Sequence, residues 1–176
     1  MEQKESSSLN YFVKEWLVPI FASLTLFWLI NTFVVFRIEV PTGSMIPTIN
    51  VDDKIFIAKA HNKDNFERGD ILVFKSIEEN GDLLIKRLIG LPGDHIELVG
   101  GDLYINGNYM EEPYVKNTLD YTGTFDVPLD HLFFLGDNRA TSKDARYWDQ
   151  PYIHKDQVMG KGGLRIYPFN NIGFLE

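Results

Sequence analysis

The chain has 176 residues, 44% hydrophobic and 24% charged, with a formal net charge of −8. Such a chain can bury a real core in one domain and is too apolar to be disordered. The acidic balance lacks the basic footprint of a nucleic-acid binder, and a sequence without cysteine has no disulfide, thiolate metal site or cysteine nucleophile.

Residues 1–15 read as a short polar tail, with both Lys and Glu in MEQKESSSLNYFVKEW. Residues 16–36 read as a transmembrane helix. Leu17 to Phe36 carry no charged side chain, and at ~1.5 Å per residue such a run spans ~30 Å, the thickness of a bilayer core. Pro19 falls in the first expected turn, and Trp16 stands where an interfacial anchor belongs. Two other readings compete. A cleaved signal peptide has a shorter apolar stretch, a basic leading end and a small-x-small cut site, which this segment lacks. A buried core helix is the second. Positive charges on the two sides, Lys4 and Lys14 against Arg37, Lys54 and Lys59, are too evenly matched to set an orientation.

Residues 37–176 read as a mainly β domain, twisted and barrel-like, with antiparallel strands. Short apolar runs alternate with turn signals: KIFIAKA, DILVFKS, LLIKRLIG, HIELVG, LYINGNYM, HLFFLG and VMGKGGLRIYP. Asn106-Gly107 in LYINGNYM marks a hairpin. EEPYVKNTLDYTGTFDVPLD, residues 111–130, is turn-rich and reads as a loop crossing the sheet.

Three stretches could carry chemistry. In VPTGSMIPTI, residues 40–49, Ser44 sits on a stiff turn between Pro41 and Pro47. A serine hydroxyl needs a base to become a nucleophile. None of His61, His95, His131 and His154 sits in a diagnostic pattern, so a Ser/His/Asp triad has little support. Lys86 lies in LLIKRLIG. As a strand, this run puts Leu84, Lys86 and Leu88 on one face and Ile85 and Arg87 on the other. A lysine desolvated among leucines loses its preference for the charged form and can serve as a base. The plainer reading is an exposed edge-strand lysine that blocks aggregation. The third stretch, FFLGDNRATSKDARYWDQ, residues 133–150, is a dense polar loop with Asp137, Asn138, Arg139, Ser142, Asp144 and Arg146. Asp–Arg pairs of this kind often buttress a site. The spacing of a calcium loop is missing, and we expect no metal and no cofactor.

Taken together, VPTGSMIPT, RGDILVFK (residues 68–75), IKRLIGLPGD (residues 85–94) and GDNRATSKDAR (residues 136–146) resemble, in order and spacing, the motifs of bacterial type I signal peptidase, or leader peptidase. The resemblance covers nearly the whole chain, in the small single-span form of Gram-positive bacteria. It implies a membrane-bound serine endopeptidase that removes signal peptides from exported preproteins through a Ser/Lys dyad and an acyl-enzyme. Ser44 would be the nucleophile and Lys86 the general base. The Ser44 N–H and the Thr42 hydroxyl would form the oxyanion hole, although many relatives carry serine or glycine at position 42. Ser142 would hydrogen-bond and orient the lysine amine. Asp144 would pair with Arg146 to support the site, with Asp137 and Arg139 holding the same loop. Val40, Met45, Leu84 and Ile85 would line the substrate pockets. The resemblance also implies signal peptides and the lipid bilayer as partners, a cytoplasmic N-terminus and an extracytoplasmic catalytic domain. Ala140 and Ala145 stand where relatives often carry Asp and Ser. Lysine at position 86 separates the chain from the branch of the endoplasmic reticulum, which has histidine there. Three rivals remain: a peptide-binding relative without activity, a self-cleaving repressor-type Ser/Lys protein, and a narrow processing peptidase for pilus or conjugation proteins.

Overall fold

The structure, a computed structural model, describes residues 11–76 and 81–175. Residues 1–10 of the polar tail lie outside the described residues. The chain divides into two compact units, Met1–Phe36 and Arg37–Glu176.

Helix α1 runs from Val13–Val34, with a mean hydropathy of 1.9 and none of its apolar window buried, which removes the core-helix reading. A helix apolar on every face and exposed on every face suits a lipid surrounding. Its polar side chains are satisfied within the helix: Ser23 Oγ donates to the Pro19 carbonyl, Thr25 Oγ1 to Phe21 and Asn31 Nδ2 to Phe27. Two expectations need correction. The helix ends at Val34 rather than at residue 36, because Val35 and Phe36 are already extended. Pro19 is not in the first turn, since helical residues precede it; Val13–Leu17 form a wider turn in which the Val18 N–H donates to the Val13 carbonyl. A proline ring clashes with the carbonyl four residues back, and a widened turn upstream relieves that clash.

The second unit is mainly antiparallel β, as expected. Among the described residues its strands are β1 (Val35–Glu39), β2 (Lys54–Lys59), β3 (Ile71–Lys75), β4 (Leu83–Gly90), β5 (His95–Val99), β6 (Asp102–Ile105), β7 (Asn108–Met110), β8 (Gly123–Asp126), β9 (His131–Leu135), β10 (Tyr152–His154), β11 (Val158–Tyr167) and β12 (Gly173–Phe174). A curled eight-stranded sheet has the order β1-β2-β11-β3-β4-β9-β10, with β12 paired to β11, and a four-stranded sheet has the order β7-β6-β5-β8. Bulges in β11 and between Leu88 and Gly90 of β4 add the local twist that curls the large sheet.

Strand β2 shows the simple half-buried alternation, with Ile55 and Ile57 inside. Strands β3, β4 and β9 are buried on both faces over most of their length, so their residues do not alternate between inside and outside. One core joins the two sheets: Leu72, Phe74, Leu88, Phe133 and Phe134 from the large sheet meet Ile96, Leu98, Leu103 and Ile105 from the small one. Phe74 and Phe134 stack at 4.3 Å. The Asn106-Gly107 hairpin forms as read, with φ of 52° and 78°, the left-handed conformation that a two-residue hairpin turn needs. Residues 111–130 are not all loop. Their GTFD segment forms β8 and pairs with β5 through Phe125 opposite Ile96. Four residues with a single apolar alternation carry too little signal to separate a short strand from a turn.

Asp94 ties the turn after β4 to this hairpin. Its carboxylate accepts from the Leu91 N–H (2.7 Å), from Asn106 Nδ2 (2.8 Å) and from Arg68 Nη2 (2.9 Å). Burial opposes its ionisation, but these hydrogen bonds and the Arg68 charge outweigh burial and hold the carboxyl below the usual range. Asp94→Asn is therefore expected to lower stability in urea by about 1–3 kcal/mol at neutral pH. The depressed folded pKa contributes stability that is present above the ordinary carboxylate value and is lost as pH falls through the folded value. The gap between wild type and variant should thus close in strong acid; a gap independent of pH would contradict this role.

Candidate active site

Lysine 86 is 3% exposed and lies on β4, which is an interior strand between β3 and β9. The edge-strand reading is therefore wrong. Opposite Lys86 in the register is Leu72 of β3. The side chain leaves the apolar strand interior and reaches the loop after β1, where Nζ donates to Ser44 Oγ at 2.6 Å. Ser44 is 8% exposed. Thr42 Oγ1 lies 3.4 Å from the same Oγ. The two residues, 42 positions apart in sequence, meet because β4 carries one of them to the loop that carries the other.

That loop is pinned at both ends. Val40 N–H donates to the Asp53 carbonyl and Asp52 N–H returns to Val40. Buried Asp53 accepts from the Asn50 N–H and from Arg165 Nη1, which also donates to the Thr48 carbonyl. The Ile46–Pro47 peptide is cis.

The other wall is the turn after β9. Asn138 holds the Ser44 loop twice: its N–H donates to the Ser44 carbonyl and its Nδ2 to the Gly43 carbonyl, both at 3.0 Å. Asp144 and Arg146 form the expected bidentate pair at 2.7 and 2.9 Å, and Asp144 also accepts from the Gly136 N–H. Arg146 Nη2 closes the turn on the Arg139 carbonyl.

Asp137 and Arg139 do more than hold their own loop. Asp137 pairs bidentately with Arg87 (2.9 and 2.8 Å) and accepts from Thr48 Oγ1 at 2.5 Å. Arg139 donates to the Gly136 carbonyl and pairs twice with Glu112. Tyr114 donates to Glu112, and its ring lies 3.9 Å from the Arg87 guanidinium. Burial pushes the Tyr114 phenol far above its usual range, with help from the Glu112 carboxylate. Breaking a buried pair such as Arg87–Asp137 costs about 3–5 kcal/mol because it strands a charge. Sequence reasoning missed Glu112, Tyr114, Asp53 and Arg165, and no local pattern marks them.

Two sequence expectations do not match the geometry. Ser142 Oγ is buried and has no hydrogen-bond partner among the described residues, so it makes no hydrogen bond to the Lys86 amine. The reason is the turn: Ser142 N–H donates to the Asn138 carbonyl at 2.9 Å, and Oγ lies against Gly136, 2.2 Å from where a Cβ there would be. Met45 is fully buried and lines none of the cavities around Ser44; it belongs to the packed interior.

Three cavities lie along β4 and the start of the Ser44 loop, two of them lined by Ser44. One of about 290 Å³ is walled by Arg37 to Pro41, Val73 and Leu83 to Ile85, and so includes Val40, Leu84 and Ile85. A second of about 390 Å³ runs along Leu83 to Lys86 to Ser44 and Thr42. A third of about 250 Å³ lies between Ser44, Lys86, Thr141 and Lys143. No histidine lines any of them.

Similarity to known proteins sets the class first: the chain is a peptidase. More narrowly, it belongs to the signal peptidase, peptidase S26, family, which it matches over residues 13–167. It is 37% identical to a signal peptidase I of Leptolyngbya laminosa over 155 residues, covering 83% of this chain and 75% of that one. It is 31% identical to a signal peptidase IB of Staphylococcus aureus over 178 residues, covering 90% and 91%. A crystal structure of a signal peptidase I from Enterococcus faecalis shares 36% identity, covers 55% of this chain and 96% of its own, and superposes with a TM-score of 0.47. The family and the apolar helix α1 together support a membrane-anchored protein.

Proposed function

We propose that this protein is a membrane-bound serine endopeptidase that removes N-terminal signal peptides from exported preproteins, with Ser44 as nucleophile and Lys86 as general base. One observation carries the reading: the Lys86 amine lies 2.6 Å from Ser44 Oγ with both residues buried. Burial disfavours an ammonium and favours the neutral amine. Once neutral, Nζ accepts the hydroxyl proton instead of donating.

Ser44 Oγ bonds to the scissile carbonyl carbon while its proton passes to Lys86 Nζ. The carbon–nitrogen bond then breaks, Lys86 protonates the leaving amine, and an ester on Ser44 remains. Water attacks that ester as Lys86 takes its proton; the signal peptide leaves as a carboxylic acid and Ser44 regains a proton. The Ser44 N–H and the Thr42 hydroxyl stabilise the oxyanion, a contribution of about 3 kcal/mol per donor in comparable sites. Asp144 and Arg146 hold the turn, and Ser142 supports it through its backbone bond to Asn138.

The substrate lies extended beside β4. Its small side chains at the third and first positions before the cut enter the apolar cavities at Val40, Leu84 and Ile85. The residues before helix α1 form a cytoplasmic tail, α1 (Val13–Val34) crosses the membrane and the β unit acts outside the cytoplasm. Anchoring enzyme and precursor in one bilayer raises their effective concentration.

The test is incubation of the purified full chain in detergent with an exported precursor. Cleavage should follow a small-x-small sequence, and acid-quenched samples should carry the signal peptide as an ester on Ser44. Ser44→Ala should give neither product. Undiminished cleavage by that variant overturns the assignment.

A further inference from the structure

Asn117 lies in the segment joining β7 to β8, far in sequence from both reacting residues, and is exposed. It nevertheless begins a chain of contacts that ends at the nucleophile. Asn117 Nδ2 donates to Asn138 Oδ1 at 3.1 Å. An asparagine amide has one acceptor end and one donor end. With Oδ1 committed to Asn117, Asn138 must present Nδ2 to the Gly43 carbonyl, as it does at 3.0 Å. The Gly43 carbonyl and the Ser44 N–H belong to the same planar peptide unit. In a trans peptide they point in opposite directions, so holding the carbonyl aims the N–H. The next peptide is held too, by Asn138 N–H on the Ser44 carbonyl.

We propose that Asn117 is a positioning residue that, by fixing the amide orientation of Asn138, aims the Ser44 N–H at the developing oxyanion. This rests on the reading of Ser44 as the nucleophile and its own N–H as an oxyanion donor. An oxyanion donor acts only when it points at the place where charge develops, so its aim affects the transition state more than the bound substrate. Asn117 is suited to an orienting role because its side chain can be changed without touching its backbone bond, in which its carbonyl accepts from the Ala140 N–H.

The informative variant is Asn117→Asp, which keeps the shape and replaces the donor with an acceptor. Asn138 then turns its Nδ2 towards the new carboxylate and its Oδ1 towards the Gly43 carbonyl, and the two oxygens repel. Full removal of an oxyanion donor costs about 10²–10³ in kcat; a misaimed donor should cost about tenfold, with KM within about twofold. Asn117→Ala, which leaves Asn138 undirected, should lose less. In an Asn138→Ala background there is no amide to orient, so Asn117→Asp should have no further effect. Equal losses from Asp and Ala, an unchanged kcat, a loss confined to KM, or an undiminished effect in the Asn138→Ala background would each overturn the proposal. A fall in melting temperature that accounts for the lost activity would do the same. Absence of cleavage by the wild-type chain would count against the assignment of the site instead. The relay is then read from the Asn138 side-chain amide protons, whose nuclear Overhauser contacts should reach Gly43 in wild type and residue 117 in Asn117→Asp; unchanged contacts to Gly43 overturn it.

Discussion

Lys86→Ala should lower kcat on a precursor by about 10³–10⁴-fold, near the upper range for loss of a general base. The fold should survive, because alanine leaves β4 without a buried charge to satisfy. Lys86→Arg should be as inactive as Lys86→Ala: a guanidinium does not give up its proton in a protein and cannot accept one from Ser44. Wild-type cleavage should rise with pH through a single group whose pKa lies below the ordinary lysine value of ~10.4. The sign follows from the active form. The neutral amine is the base, so activity is present above the pKa and is lost as pH falls through it. Burial favours the neutral form: Lys86 is 3% exposed on an interior strand, where an ammonium is poorly solvated. An acid limb at the ordinary lysine value, or substantial activity in Lys86→Arg, would remove Lys86 from the role of base.

The sequence made some of this legible and hid the rest for physical reasons. Apolar alternation bounded by turns located β4 at Leu83–Gly90 and the hairpin at Asn106-Gly107. Strand signals are local, so they say nothing about neighbours in a sheet. Lys86 on an edge and Lys86 in the interior share the same run LLIKRLIG, and only the order β3-β4-β9 separates them. Ser44 was identifiable as a hydroxyl on a rigid turn. Its partner was not identifiable by spacing, because a pairing across 42 positions is set by topology. The family resemblance supplied that pairing. The Asp144–Arg146 bond was readable because the partners are two residues apart; Arg87–Asp137, Arg139–Glu112 and Asn117–Asn138 were not, because each joins separate elements. Short strands such as β8, β10 and β12 exist through pairing with longer neighbours, and two to four residues hold no period to detect.

Gly136→Ala should abolish most of the activity while leaving the chain folded. Gly136 directly follows β9, where the turn packs against the Ser44 loop. A Cβ there would come within 2.2 Å of Ser142 Oγ, 2.5 Å of the Ser44 carbonyl oxygen and 2.6 Å of Ser142 Cβ. The Ser142 contact involves a side chain that can be trimmed. The Ser44 contact involves backbone that cannot rotate away, and it is relieved only if the Ser44 loop and the turn move apart. That movement stretches both Asn138 bonds to the loop and draws Ser44 Oγ from Lys86. Overpacking of this kind costs about 1–3 kcal/mol of stability, which the other contacts of the turn can absorb. Misplacement of a reacting group by about 1 Å can cost about 10²-fold in rate, so kcat should fall by roughly that factor. Ser142→Gly in the same chain separates the two contacts. It removes the clash with Oγ and Cβ but leaves the one with Ser44, so the double variant should recover stability and not kcat. Recovery of kcat together with stability would show that Ser142, and not the Ser44 backbone, is what the glycine accommodates.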